Sequence, residues 1–406
     1  MQFKHLNIFR FNFLQLVVLS MPLLIVNVKH ASELVILFLT IFGVYFSIRE
    51  RKLPFFHDQL KVYSYLVLAF FFSIVISVIL SNNPIQGIHR IGSNIHFLVA
   101  PFVAYGIYKS NVDLKHIVFV IKLSVIVATV YAIYEVLYFV DKRPEAGADA
   151  STIFGFIMAF FGFISINDIW TQSNKEKLFS VFVFFLAIYS VLLSGTRIAW
   201  IMFVVLFFSV MFIWSIRGLI TKKRLLLIVT ALALITAALM YNKQFTIKID
   251  AAFNEIKTYS NDTDSTGSVD LRLSMWSGGL KAFKQQPIAG YGYQNTGLEA
   301  SRHVYGRFAK EFTKDQKMLH NDYINSMVGF GILGLLVLLG LLFFPLIIFF
   351  KRLRANEGFT RNTIGILLVI ALSVFAITDS IYSHSVMRSF VVFFLGFLLL
   401  KDRKKK

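Results

Sequence analysis

Three polar residues stand next to long apolar stretches of this 406-residue chain and could act together: Arg197, Arg272 and His320. An arginine guanidinium can bind two phosphate oxygens side by side, and a neutral imidazole can accept a proton from a hydroxyl. The set therefore suits a reaction in which a phosphate leaving group is stabilised while a hydroxyl is deprotonated.

Arg197 follows Ser194-Gly195-Thr196, a short joint between two apolar stretches. We expect the side chain of Ser194 or Thr196 to cap the second helix, which puts Arg197 in its first turn. A cation there opposes the helix dipole and, near a membrane, carries a desolvation cost. Because a cation is unfavourable at this position, Arg197 is expected to have an anionic partner. The alternative is an interfacial arginine that reaches lipid headgroups.

Arg272 and Trp276 lie one helical turn apart, so they share a face. The alternative is a solvated arginine beside a tryptophan that packs within the polar segment. Asn321 or Asp322 is a natural helix cap, which would hold His320 at a helix entrance on the membrane surface. A lone histidine is more often structural than catalytic, but this position favours a functional role.

Several common chemistries lack their motifs. No Asp-x-Asp pair is present to hold a nucleotide sugar through a metal, and Gly290-x-Gly292 alone does not make a phosphate-binding loop. No histidine- or glutamate-rich helical cluster indicates a metal, and the chain has no cysteine. We therefore predict neither a metal nor another cofactor.

The elements that position these residues follow from composition. The chain is 57% hydrophobic and only 16% charged, with a mean hydropathy of +0.68. Many continuous apolar runs reach about 18 residues, enough to cross a bilayer core. This pattern predicts an all-α polytopic integral membrane protein and not a β-barrel, whose strands alternate. The net charge of +19 fits basic cytoplasmic connections, so we expect no nucleic-acid partner.

We predict about twelve transmembrane helices. They span residues 11–28, 33–48, 60–80, 93–108, 114–140, 151–166, 178–193, 197–216, 225–241, 321–350, 363–382 and 385–400. The stretch 321–350 is long for one crossing, so its start should project from the bilayer or the helix should tilt.

One long polar loop precedes the last three helices. The sequence divides into residues 1–241 with nine helices, the loop 242–319 as an active-site lid, and 320–406 with three helices and a basic tail. Within the loop, apolar residues recur at helical spacing over 245–259, as do Leu273, Trp276, Leu280 and Phe283, and a polar connection is expected at 261–267. Lysines and arginines of the short connections concentrate on one side. Both termini should therefore be cytoplasmic, the first helix retained, and the loop periplasmic in a Gram-negative cell.

The polar motifs and their order resemble the O-antigen ligase family, part of a wider group with O-antigen polymerases and O-linked oligosaccharyltransferases. The resemblance rests on Ser194-Gly195-Thr196-Arg197-x-x-Trp200, on Arg272-x-x-x-Trp276 leading to Gly290-Tyr291-Gly292, and on His320-Asn321, in this topology.

The resemblance implies an inverting glycosyltransferase that needs no metal or nucleotide. Its donor would be a glycan on undecaprenyl diphosphate, and its acceptor a sugar hydroxyl of lipid A–core in lipopolysaccharide synthesis. Arg197 and Arg272 would bind the donor pyrophosphate, His320 would be the general base, and Trp276 and Asn321 would support them. Arg90 would be a further phosphate contact, or a plain loop charge.

Two other functions stay open. An O-antigen polymerase would use the same chemistry with a growing glycan as the acceptor. A transporter or flippase would show internal repeats and ionisable residues near the middle of the spans. The candidates for such residues are Lys122, Glu135 and Asp379, and no repeat is visible.

Overall fold

The computed structural model describes residues 11–81, 84–139, 143–226, 228–230, 268–304 and 318–401, with a few single positions between 241 and 254. All regular structure in these residues is helical. The α-helices are α1 Phe13–Asn27, α2 Ala31–Glu50, α3 Lys61–Leu80, α4 Pro84–Ser93, α5 Ile95–Ser110, α6 Leu114–Tyr138, α7 Ser151–Ile166, α8 Asn174–Ser194, α9 Arg197–Ile216, α10 Ser268–Gln285, α11 Thr296–Ser301, α12 Asp322–Arg354, α13 Phe359–Thr378 and α14 Ser385–Leu399. Short 3₁₀ turns cover Pro54–Phe56, Tyr293–Asn295 and Ile381–Ser383.

The protein is a multi-pass membrane protein. Eight of the described helical segments are long and apolar enough to cross a bilayer, and α1, α7 and α14 are shorter apolar helices. Every predicted stretch except 225–241 overlaps one of these segments. The stretch 225–241 lies mostly outside the described residues, so the count of twelve stays a prediction, as does the division at 241 and 319.

The shorter helices α7 and α14 are buried almost all round, as is most of α13. Helices that are apolar on every face belong inside a bundle. Aromatic rings join them: Phe156 of α7 lies 5.0 Å from Phe375 of α13 and 5.3 Å from Phe390 of α14. These three helices therefore form the core, and the polar residues at their ends have fixed positions.

Helix α12 is broken at Gly331. Its φ of 68° and ψ of −160° are non-helical and accessible only to glycine. The break brings the chain against the loop, because Ile332 donates its backbone N–H to the Pro287 carbonyl at 2.8 Å. The segment thus consists of two helical pieces joined at Gly331. Whether its start projects from the bilayer or tilts stays a prediction.

The loop also satisfies the carbonyls that the break frees. Tyr291 N–H donates to the Val328 carbonyl at 2.8 Å, and Gly292 N–H donates to the Gly329 carbonyl at 3.0 Å. The Ser77 hydroxyl of α3 donates to the same Gly329 carbonyl at 2.7 Å. Non-helical backbone at membrane depth is tolerated only where protein groups satisfy it in this way. The Gly290-Tyr291-Gly292 motif therefore forms the seam between the loop and α12, that is, the backbone contact that joins them.

The described part of the loop packs onto the start of α12. Helix α10 carries the predicted apolar positions, and its Met275 joins Leu319, Ile324 and Val328 in one buried cluster. The predicted loop helix is thus confirmed in 268–285. The apolar stripe expected at 245–259 lies mostly outside the described residues, and the polar connection at 261–267 lies entirely outside them.

Candidate active site

The backbone around His320 is held on both sides. Asn321 caps α12 by accepting the Ile324 N–H at 3.0 Å, and Leu319 N–H donates to the Asn325 side chain at 2.9 Å. Trp276 donates its indole N–H to the Leu319 carbonyl at 3.1 Å. His320 itself has a φ of 46°, in the left-handed region that histidine tolerates better than most residues. The predicted cap and the supporting tryptophan thus fix this imidazole at the helix entrance.

Asp379 lies directly against that imidazole. It follows the last residue of α13, and its Oδ1 is 3.3 Å from Nδ1 of His320. The same oxygen accepts the Ser380 N–H at 2.8 Å, and Oδ2 accepts the Thr152 hydroxyl of α7 at 3.1 Å. A carboxylate can only accept, so Nδ1 carries the proton of a neutral His320. Its Nε2 is left with a lone pair that can take a proton from a substrate.

The charge of Asp379 is maintained by its surroundings. Burial alone would raise the pKa of this carboxyl, whose side chain is only 7% exposed. The hydrogen bond from His320 and the nearby imidazoles of His384 and His320 outweigh burial and hold the pKa of Asp379 well below its usual range. His384 Nε2 is 3.7 Å from the shared Oδ1. Asp379 is therefore an anion at neutral pH.

A second buried carboxylate fixes the turn after Asp379. Asp322, the first residue of α12, accepts the Ser380 hydroxyl at 2.6 Å and the Ile381 N–H at 2.7 Å. Because Asp322 lies two residues after His320, this contact ties the helix entrance directly to the turn that carries Asp379. These hydrogen bonds hold His320 and Asp379 next to each other independently of the contact between their own side chains.

Arg197 is the first residue of α9, as predicted. Gly195 ends α8 with a φ of 61°, and Thr196 occupies the N-cap position without a side-chain capping bond. The predicted side-chain cap is therefore wrong. The Ser194 hydroxyl donates to the Val191 carbonyl at 2.7 Å, and the Thr196 hydroxyl lies 3.0 Å from the Ser194 hydroxyl. The buried joint is held by packing, because a Cβ on Gly155 of α7 would lie within 3 Å of it.

Arg272 brings the loop to the same place. It lies near the start of α10 and is half-buried. Burial lowers the pKa of Arg272, the Asp379 carboxylate raises it and the Arg197 charge lowers it further. Arg272 is thus within electrostatic reach of both residues. Thr152 and Gly155 of α7 lie next to Asp379 and the Arg197 joint respectively. The structure thus brings both arginines to the end of the bundle that carries the His–Asp pair.

Arg90 lies on a different element, helix α4. Its guanidinium carbon is 5.4 Å from the centre of the Tyr293 ring, and the Tyr293 hydroxyl lies 3.0 Å from Ser383. Arg90 therefore approaches the turn after Asp379 from the α4 side. Its role as a donor phosphate contact stays a prediction.

Sequence reasoning missed the partners of His320. The sequence indicated Asp379 only as an ionisable residue in the predicted transmembrane stretch 363–382, as expected for a transporter. A carboxylate followed five residues later by His384, at the end of a mostly apolar run, was the available signal. The other two such candidates have structural contacts: Glu135 accepts the N–H groups of Glu145 and Ala146, and Lys122 donates to Ser180.

The fold and the site define a class: a multi-pass membrane protein with a histidine–carboxylate pair and two arginines beneath a helical loop. Residues 182–339 match the family described as O-antigen ligase. This match supports the assignment of the chain to that family. The matched region includes Arg197, Arg272 and His320 and ends before Asp379. The chain is also 26% identical over 357 residues to an uncharacterized protein of Haemophilus influenzae, covering 84% of this chain and 86% of that protein.

Proposed function

We propose that the protein is an O-antigen ligase of the bacterial inner membrane, with both termini cytoplasmic and the site facing the periplasm. It would transfer a glycan from undecaprenyl diphosphate to a sugar hydroxyl of lipid A–core. The observation that carries this proposal is the His320–Asp379 pair, together with Arg272 within electrostatic reach of both Asp379 and Arg197. A base and an anion-stabilising pair are the groups that this transfer needs.

The reaction begins with the acceptor hydroxyl at Nε2 of His320. As its oxygen bonds to the anomeric carbon, the proton passes to Nε2 and the bond between that carbon and the diphosphate oxygen breaks. The electron pair leaves with undecaprenyl diphosphate, and the anomeric configuration inverts. Asp379 holds the imidazole in the accepting tautomer and stabilises the imidazolium that forms, in the manner of a catalytic triad.

Arg197 and Arg272 would bind the diphosphate and stabilise its developing charge. Planar guanidinium groups suit paired phosphate oxygens. Arg272 lies within electrostatic reach of both the Arg197 charge and the Asp379 carboxylate. A diphosphate bound between the two guanidinium groups would interact favourably with both. The donor carries its own activation, so the reaction needs no nucleotide on the periplasmic side.

The same groups would serve an O-antigen polymerase, which differs in its acceptor. The decisive experiment supplies purified enzyme with lipid-linked donor and either lipid A–core or a second lipid-linked glycan. Transfer to lipid A–core, with inversion at the anomeric carbon, is the expected result. Transfer only to the lipid-linked glycan would identify a polymerase, and transfer to neither would contradict both assignments.

A further inference from the structure

A second cationic cluster lies beside the site and has no part in the reaction described above. Arg90 of α4 stacks over Tyr293, and Arg388 of α14 is within electrostatic reach of both. Among the described residues neither arginine makes an ion pair, although Arg388 is only 6% exposed. Arg388 donates to the Tyr382 carbonyl at 2.8 Å, and its Nε is buried without a hydrogen-bond partner. Arg388 also lies within electrostatic reach of the Glu33 carboxylate. An anion bound beside Tyr293 would give the buried Nε of Arg388 the hydrogen-bond partner that it lacks.

An apolar groove begins at the same place. Tyr293 stacks on Phe330 with ring centres 5.3 Å apart, and Phe330 lines a cavity of about 620 Å³ between α3 and α12. Ala69, Ser73 and Ile76 form its α3 wall, and the loop residue Ile288 contributes from the far end of α10. From Ala69 to Leu80 the groove follows roughly 16 Å of helix. Its walls are the halves of α3 and α12 nearer His320.

An anion site at the head of an apolar groove fits an amphiphile. We propose that this groove binds an acyl chain of the lipid acceptor, with an acceptor phosphate against Arg90 and Arg388. The inference rests on the proposed function and names the place of one substrate. The Tyr293 hydroxyl contacts Ser383 in the turn after Asp379, and Asp379 contacts His320. The head of the groove is therefore linked to the turn that positions the base, which is where the glycan of a lipid acceptor would have to lie.

The position of the groove favours the acceptor over the donor. Helix α10 extends roughly 20 Å from Arg272 to Gln285, and Ile288 at the groove follows its far end. A diphosphate held by Arg197 and Arg272 therefore lies far from the groove. Inverting displacement also requires the acceptor to approach opposite the leaving group. The groove lies between α3 and α12, whereas the two arginines lie on α9 and α10. Acceptor and leaving group would thus come to the His–Asp pair from different elements, as an inverting displacement requires.

The test fills the groove with Ser73→Phe in the full-length protein. The matched control is Ser209→Phe, because both serines are partly exposed and bond back to a carbonyl of their own helix. Acceptors are lipid A–core, its deacylated form and its dephosphorylated form, each assayed with one lipid-linked donor. Binding of lipid A–core without donor is measured in parallel by native mass spectrometry. Ala69→Leu repeats the test if Ser73→Phe is poorly folded.

Ser73→Phe should raise KM for lipid A–core about tenfold, as expected for the loss of a few buried methylenes. KM for the deacylated acceptor and for the donor should not change, and Ser209→Phe should behave as wild type. Arg90→Gln should weaken binding of lipid A–core but not of its dephosphorylated form. A higher donor KM in Ser73→Phe would assign the groove to the donor chain instead, and unchanged values for all substrates would assign it to bulk lipid.

Failure of the proposed function would appear differently. If the wild type transfers to no acceptor, yet lipid A–core binding still falls in Ser73→Phe and not in Ser209→Phe, the groove assignment stands and the ligase assignment fails. If the wild type does not bind lipid A–core at all, the groove assignment is overturned.

Discussion

The Nδ1 atom of His320 lies 3.3 Å from Oδ1 of Asp379, across 59 residues of sequence. The contact joins the start of α12 to the end of α13, and Asp322 fastens the same two places through Ser380 and Ile381. A base whose tautomer is set by a buried carboxylate is ready to accept a proton before substrate arrives.

Asp379→Asn should reduce transfer by roughly 10²–10⁴-fold without removing the protein from the membrane. The amide removes the negative charge and can present a donor to Nδ1, which would put the proton of His320 on the wrong nitrogen. The measurement is turnover in detergent with purified lipid-linked donor. Asp168→Asn is the control, since Asp168 is a carboxylate bonded to Thr360 at 2.6 Å and lies outside the site. Equal losses in both variants would indicate a general folding effect.

Asp379 should also affect stability with a definite pH dependence. Its folded-state pKa is depressed, so its stabilising contribution is present above the ordinary aspartate pKa of about 3.9 and is lost as pH falls through the folded value. The difference in melting temperature between wild type and Asp379→Asn should thus be constant from about pH 8 to pH 5 and shrink below about pH 4. A difference that vanishes already near pH 6 would contradict the depressed pKa.

His320→Ala should lower turnover by roughly 10²–10⁴-fold, the usual loss for a positioned base. His303→Ala should have a mild effect, because His303 lies just after α11, whereas His320 and His384 are the histidines that contact the Asp379 carboxylate. Turnover of both variants, measured with the same lipid-linked donor and acceptor, separates the two roles. A dead His303→Ala enzyme with an active His320→Ala enzyme would transfer the role of base to His303.

Sequence alone predicted the elements of this fold better than the contacts among them. Continuous apolar runs indicate membrane helices whatever their neighbours are, so most helix positions followed directly. Arg197, Arg272 and His320 stood out because each was an unusual residue type for its position. Asp379 did not, because its meaning depends on a contact with His320 that only the folded bundle creates. The break at Gly331 was hidden for the same reason: its carbonyls are satisfied by Tyr291 and Gly292 of the distant loop.

Gly331→Ala should destabilise the protein through the seam between loop and helix. Its backbone conformation costs a non-glycine residue about 1–3 kcal/mol, and a Cβ would lie 2.1 Å from the Ile288 carbonyl oxygen. Gly340→Ala in the same helix is the control, because a Cβ there meets nothing within 4 Å. Thermal unfolding in detergent should show a lower melting temperature for Gly331→Ala alone. Equal melting temperatures would mean that the helix is not broken at Gly331.

The orientation of the chain can be tested with single cysteines, since the sequence contains none. Gln286→Cys lies on the loop, and Asn356→Cys lies between α12 and α13; both positions are exposed. A membrane-impermeant maleimide applied to spheroplasts should label Gln286→Cys at once, but Asn356→Cys only after permeabilisation. The reversed pattern would put the active site in the cytoplasm. Labelling of both would mean that the number of crossings between them is even.

Arg197→Ala and Arg272→Ala should each lower turnover about 10²–10³-fold, the typical loss of one preorganised donor to a developing anion. Lysine should restore activity only partly at either position, because it cannot bind two oxygens side by side. Arg302→Ala is the control: Arg302 lies in the same loop region, but its partner is Glu299 at 2.8 Å. Binding of undecaprenyl diphosphate, measured without acceptor, should weaken in the first two variants and not in the third. Full activity in Arg197→Ala would remove that residue from the site, and normal diphosphate binding in an inactive Arg272→Ala would assign Arg272 to the acceptor or the loop instead.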